Sequence, residues 1–205
     1  MSFTSRSVSL MLLGTALLGG CDAAPTTTPI NESTVLPTDD LGTVESRTNA
    51  QPAGYCTSIA FVSGFSLEME QAVIALVNQR RATGAICGGV AKPPVPPLTA
   101  ESRLNCSARN HALDMGKFGY FGNIGQSGWT PLRRITLAGY TPLSYAEENI
   151  AAGYTSTAAA VVDAWMATPR DCNNIMNPAH LHVGVGQYTV PGSTYGYWVQ
   201  DFGRP

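Results

Sequence analysis

The stretch SYAEENIAAG, residues 144–153, sets two carboxylates side by side, Glu147 and Glu148, between a tyrosine and a run of small residues. Adjacent acids can act as a general acid and base or as ligands to a hard cation, and the same pair can equally form the polar mouth of a packed turn. Histidine offers a base that titrates near neutrality. His111 falls on the apolar stripe of a predicted helix, so it is expected on the core side, bonded to a carbonyl or a loop. His180 and His182 have the spacing that turns both to one face of a strand. Two imidazoles are too few for a metal site, and a solvated strand edge is expected there.

The run GQSGW, residues 125–129, approaches the hydrolase elbow Gly-x-Ser-x-Gly, but Trp129 stands where the last glycine belongs. No apolar strand leads into it, so Ser127 reads as a loop serine. Trp165, Trp198, Tyr195 and Tyr197 could wall a ligand site, although their alternating and helical spacing suits core and sheet packing better.

Five cysteines divide into one and four. Cys21 ends a leader, residues 1–21, made of Arg6, the apolar run VSLMLLGTALLGG and the cysteine itself. That run is an export signal, too short for a stable membrane span. Its end, LLGGC, resembles the lipobox of bacterial lipoproteins, which implies that Cys21 is acylated and becomes the mature N-terminus. In an exported chain Cys56, Cys87, Cys106 and Cys172 are expected to form two disulfides, with three pairings open. No CxxC or Cys/His cluster points to zinc. A net charge of −2 with only two lysines, Lys92 and Lys117, leaves no basic face and argues against a nucleic-acid partner.

The elements that must position these residues are legible in outline. Residues 22–55 are rich in Pro, Thr, Asp, Asn and Ser, too poor in large apolar side chains to offset ordering entropy, and read as a disordered tether. Residues 56–205 form one domain of ordinary size. Ser66 caps a helix that carries Glu68 and Glu70 in its first turn and stops at Gly84. A second helix is expected from Thr99, with Leu104, Ala108, His111 and Met115 on one stripe. Thr130 and Pro131 open a short third helix that closes at Gly139, and Ser156 or Thr157 caps a fourth that ends ahead of Pro169. HLHVGVGQYTV and YGYWVQDFG alternate as two strands joined by Pro-Gly-Ser. The order predicts a layered α+β domain.

The segments LVNQRRATG, NHALDM, RITLAGY, EENIAAG, VVDAWMATP, NNIM, VGVGQY and YWVQDFG together resemble the CAP superfamily of cysteine-rich secretory proteins, antigen 5 and pathogenesis-related 1 proteins, the SCP domain, in its bacterial secreted form. The resemblance covers nearly all of residues 66–203 and implies a three-layer α-β-α sandwich with a surface groove. In the family that groove often carries two histidines and two acids that can hold a divalent cation. Its Glu-Asn motif matches Glu148 and Asn149, which makes Glu148 the groove carboxylate and Glu147 its outward neighbour. Asn123 and Asp171 stand where relatives have the two histidines, and Thr168 where animal proteins have the second acid. Oxygen-only donors suit neither zinc nor, at three, calcium, so no metal and no cofactor are expected. Relatives often pair a cysteine after the first helix with one ahead of the Asn-Ile-Met segment, which implies Cys87 with Cys172 and leaves Cys56 with Cys106.

The expectation for function is a lipid-anchored, extracytoplasmic module of a bacterial envelope that binds a small lipid, a glycan or a protein in a groove around Asn123, Glu148, Asp171 and His111. Glu148 is expected to accept hydrogen bonds from backbone amides or from the neighbourhood of Asn149, fixing a turn into IAAG. A groove hydrolase and a purely structural envelope module are the alternatives.

Overall fold

A computed structural model describes residues 54–57, 59, 65–143, 145–153 and 157–205. The leader with Cys21, the tether up to residue 53, Ser144 and Ser156 lie outside the described residues. Among the described residues no helix is long and apolar enough to cross a membrane.

Helix α1 (Leu67–Thr83) starts where the Ser66 hydroxyl accepts from the Met69 amide and ends at Gly84, whose φ of +76° favours glycine. A hairpin of β1 (Ala85–Cys87) and β2 (Val90–Lys92) follows. The expected helix start at Thr99 is displaced. Thr99 and Ala100 form β3 (Thr99–Ala100), parallel to β5 (His182–Thr189), and α2 (Ser102–Phe118) begins after Glu101, whose carboxylate accepts from the Arg103 amide. Pairing with a distant strand claimed the two residues that local capping chemistry assigned to the helix.

Thr130 and Pro131 open α3 (Pro131–Leu137) as expected, and Thr157 caps α4 (Ala158–Ala167). Helix α4 ends ahead of Pro169 as expected, and Pro169 has a second role. It is the first residue of α5 (Pro169–Ile175), a position where a missing amide proton costs nothing. The acidic stretch is not a turn: it lies in β4 (Tyr145–Gly153), antiparallel to β6 (Gly196–Arg204) along its whole length.

The sheet runs β3-β5-β6-β4. Alternation divides its side chains between two layers. Val183, Val185, Trp198, Phe202 and Ala151 pack with α1, α4 and α5, around Val73, Val77, Trp165 and Ile175. Ile150, Tyr188, Tyr197 and Val199 pack on the other face against Ala108, Ala112 and Met115 of α2. The result is a three-layer α-β-α sandwich. Trp165 and Trp198 are core, Tyr197 is buried in the sheet, and Tyr195 packs beside it.

Helix α2 lies unusually close to β5. A Cβ on Gly184 would sit 2.1 Å from the Leu104 carbonyl carbon, and one on Gly186 would sit 2.2 Å from the Arg109 nitrogen. The two glycines let the helix backbone rest directly on the strand. Disulfides Cys56–Cys106 and Cys87–Cys172 fasten the start of the described chain to α2 and the β1–β2 hairpin to α5.

Candidate functional site

Strand β4 turns Glu147 and Glu148 to opposite faces of the sheet, and each meets its own set of partners. Glu148 faces the α2 and α3 layer and is almost fully buried. Its Oε1 accepts from Asn123 Nδ2 at 2.9 Å and its Oε2 from Arg134 Nη2 at 2.5 Å. These donors are side chains from a loop and from α3, in place of the backbone amides expected from sequence. Arg134 also donates to the carbonyls of Trp129 at 2.7 Å and Asn123 at 3.1 Å. One guanidinium therefore shapes the loop after α2 and neutralises the carboxylate beneath it.

His111 is buried with its Nε2 2.8 Å from the Gly122 carbonyl and 3.8 Å from Glu148 Oε1. A carbonyl only accepts, so Nε2 carries the proton. Burial pushes the imidazole pKa below its ordinary value, with Glu148 opposing that shift. Across β6, Asp201 is directly opposite Glu148, turned to the same face and fully buried. Burial, then the charge of Glu148, holds the Asp201 carboxyl well above the usual carboxylate range.

Glu147, expected to point outward, instead faces the α5 layer. It accepts from His180 Nε2 at 2.8 Å, from the Tyr145 hydroxyl at 2.7 Å and from Asn177 Nδ2 at 3.3 Å. The expectation of a solvated His-x-His edge fails with it. His180 precedes β5, is buried and stacks on Phe202 at 4.8 Å, while His182 is bonded to the Tyr140 hydroxyl at 2.7 Å.

Asp171 does not join Glu148. Near the start of α5, its carboxylate accepts from Arg170 Nε at 3.0 Å, and its carbonyl accepts from Asn149 Nδ2 at 3.1 Å. Thr168 turns its hydroxyl back to the Ala164 carbonyl. Ser127 lines a small pocket with Asp114, Trp129 and Arg134, and no histidine borders it.

The cleft over Glu148 has a volume of about 350 Å³ and is lined by Asn123, Pro131, Ala146, Glu147, Glu148, Arg170 and Asn174. A second cleft of about 290 Å³, toward Lys92 and Asn177, shares Glu147 and Asn174 with it. The metal-binding set that the family resemblance implies does not fit here. Both Glu148 oxygens face donors, one of them cationic, and among the described residues no group of three or more His, Cys, Asp and Glu could hold a metal.

Sequence reasoning found Asn123, Glu148 and His111 and missed Arg134, Asp201 and Asn174. Asp201 had a signal: alternation in YWVQDFG gives it the parity of Tyr197 and Val199, inside the sandwich. Arg134 had a weaker one, a charge flanked by the buried Ile135 and Leu137.

The family model described as "Cysteine-rich secretory protein family" matches residues 74–202. "Uncharacterized protein YkwD" of Bacillus subtilis (strain 168) is 34% identical over 135 residues, 65% of this chain and 46% of that protein. The chain thus spans less than half the length of that relative. An extracellular protein containing a SCP domain from Bacillus anthracis str. Ames superposes with a TM-score of 0.54 at 23% identity, over 66% of this chain and 40% of that one. An outer surface protein from Borrelia burgdorferi does so with a TM-score of 0.53 at 18% identity, over 69% of this chain and 98% of that one. At these identities the likeness is one of fold.

Proposed function

Because the chain belongs to the cysteine-rich secretory protein family, the CAP proteins, we propose that its domain is a non-enzymatic binding module of the bacterial cell envelope, anchored through lipid on Cys21, whose cleft takes a polar ligand. The observation that carries this reading is the state of Glu148. Its two oxygens meet Asn123 and Arg134, so it is a fixed, neutralised floor rather than a base waiting for a proton.

Hydrolysis needs a nucleophile or base within reach of the scissile bond. The nearest imidazole, His111, spends its Nε2 proton on Gly122 beneath the loop. What the cleft does offer is the amides of Asn123 and Asn174 and the guanidinium of Arg170, whose side chain is 60% exposed. Amides and a guanidinium beside the short apolar surface of Pro131 and Ala146 suit hydroxyls and carbonyls, and so favour a glycan or a peptide over a lipid tail. Two disulfides and the leader fit an oxidising, extracytoplasmic compartment, and the fold is shared with an extracellular protein and an outer surface protein.

Native mass spectrometry of the protein purified from its own envelope tests the cleft. A co-purifying mass that Asn174→Ala with Arg170→Ala removes is the expected result. Turnover of a peptide, glycan or ester that Glu148→Gln abolishes would replace this reading with an enzymatic one, as would stoichiometric zinc. The anchor is tested separately: Cys21→Ser should release the protein from membranes, and a processed variant that stays bound refutes lipidation.

A further inference from the structure

Half of the large apolar side chains exposed among the described residues fall in one short stretch, residues 118–132: Phe118, Phe121, Ile124, Trp129 and Leu132, each between 37% and 58% exposed. The stretch is not loose chain. The Gly125 amide donates to the Trp129 carbonyl at 2.9 Å, Arg134 draws in the carbonyls of Trp129 and Asn123, and His111 bonds Gly122. These bonds fix the loop while its large side chains stay in solvent, where apolar surface is costly unless something covers it.

The charged residues of the stretch and its immediate sequence flanks have one sign. From Met115 to Ala146 the sequence holds Lys117, Arg133 and Arg134 and no aspartate or glutamate, in a chain whose net charge is −2. Arg134 is buried on Glu148, which leaves Lys117 and Arg133 exposed. Lys117 sits 5.5 Å over the Phe118 ring, and Arg133 follows Leu132. The nearest preceding carboxylate, Asp114, is turned onto the Tyr120 hydroxyl and the Gln126 amide.

We propose that this loop and the start of α3 form a face that docks on an anionic lipid surface, with the apolar side chains entering the headgroup boundary and Lys117 and Arg133 meeting the lipid phosphates. Aromatic and aliphatic tips flanked by cations are the composition that binds such an interface. The chain itself leads there. The described residues begin at Gly54, and the next residue, Tyr55, has a carbonyl that accepts from Asn110 at 3.2 Å and a ring that lies 6.2 Å from that of Trp129. On the anchored reading above, a tether from lipid on Cys21 would end on the Trp129 side of the domain, which keeps that face within reach of the membrane. The docking itself needs only the exposed side chains.

Trp129 is the reporter. The other two tryptophans, Trp165 and Trp198, are each 1% exposed, so a change in quenching on binding belongs to Trp129. The exported mature protein is mixed with vesicles of phosphatidylcholine with phosphatidylglycerol. Expected are sedimentation with the vesicles, quenching by brominated acyl chains and protection from aqueous iodide, all weakened on vesicles of phosphatidylcholine alone and at high salt. Phe121→Ser with Ile124→Ser should weaken partition by about tenfold or more, and Lys117→Gln with Arg133→Gln should remove its salt dependence. Ile86→Ser with Val90→Ser, apolar positions of the β1–β2 hairpin, should leave it unchanged.

The mass of the mature N-terminus keeps the two ideas apart. Lipidated protein whose Trp129 stays open to iodide on vesicles retains the anchor and overturns the docking face. Unlipidated protein that still partitions through Trp129 retains the face and overturns the anchor. Equal loss in the hairpin control, or a protein partner that protects Trp129 where vesicles do not, also overturns the proposal.

Discussion

Glu148 and Asp201 stand directly opposite each other on β4 and β6, turned to one face of the sheet, and the guanidinium of Arg134 pairs with Glu148. Burial first, and then the charge of Glu148, push the Asp201 carboxyl toward its neutral form, with Arg134 opposing that shift.

This fixes the sign of a pH effect. The Asp201 carboxyl is held above its unfolded value, which is about 3.9, so the fold keeps a proton that the unfolded chain releases as pH rises. Its contribution is complete below about pH 4 and declines as pH rises toward the folded value. Asp201→Asn, which mimics the neutral acid, should therefore gain stability relative to the parent between acidic and neutral pH. Urea midpoints across that range measure it, and a difference that does not change with pH contradicts the neutral acid.

The two buried histidines act in the opposite direction. Burial lowers the pKa of His111 and of His180 from about 6.5. Below that pH the unfolded chain takes up protons that the fold refuses, so stability is full above it and is lost as pH falls toward the folded values. His180→Gln, which can still donate to Glu147, should flatten the loss of thermal midpoint under mild acid. An unchanged slope means that His180 does not contribute.

Arg134→Met strands the Glu148 charge and should cost about 3–5 kcal/mol. Glu148→Gln strands the guanidinium in turn and should also lower the thermal midpoint. Arg134→Met with Glu148→Gln should cost less than the sum of the single changes by more than about 1 kcal/mol, as groups in contact do. Additive losses from chemical denaturation would show that the two groups do not depend on each other.

Gly184→Ala places a methyl against helix backbone that cannot swing aside, so it should cost about 1–3 kcal/mol or more. Gly122→Ala, with nothing within 4 Å of its new carbon, should stay within about 0.5 kcal/mol. Equal effects in equilibrium unfolding would mean that α2 does not rest on β5 as described.

The parts of the fold legible in the sequence are those set by local chemistry: the Ser66, Thr130 and Thr157 caps, and the alternation of β5 and β6. The parts that were not depend on distant partners. In β4, two glutamates, an asparagine, three alanines and a glycine are poor strand formers, and the strand exists because β6 pairs with it residue by residue. Pro169 marks the end of α4 as its sequence suggests, and the start it also gives to α5 was not legible. At the site, Glu148 and Asn123 were visible from the family motifs, and Arg134 and the bonds that join the three were not. Hydrogen bonds from Asn123 and Arg134 appear only when α3 and the loop before it fold over the strand.

Strand β6 follows every other described element in the chain and yet lies inside the sheet, between β5 and β4. A polypeptide threaded outward from its N-terminus would thus have both flanking strands on the far side of the export channel before the one that joins them arrives. Until residues 196–204 emerge, β4 lacks its partner strand in the sheet and Asp201 is absent from its layer. On an exported chain the sandwich would therefore close last at its centre, when its final strand arrives.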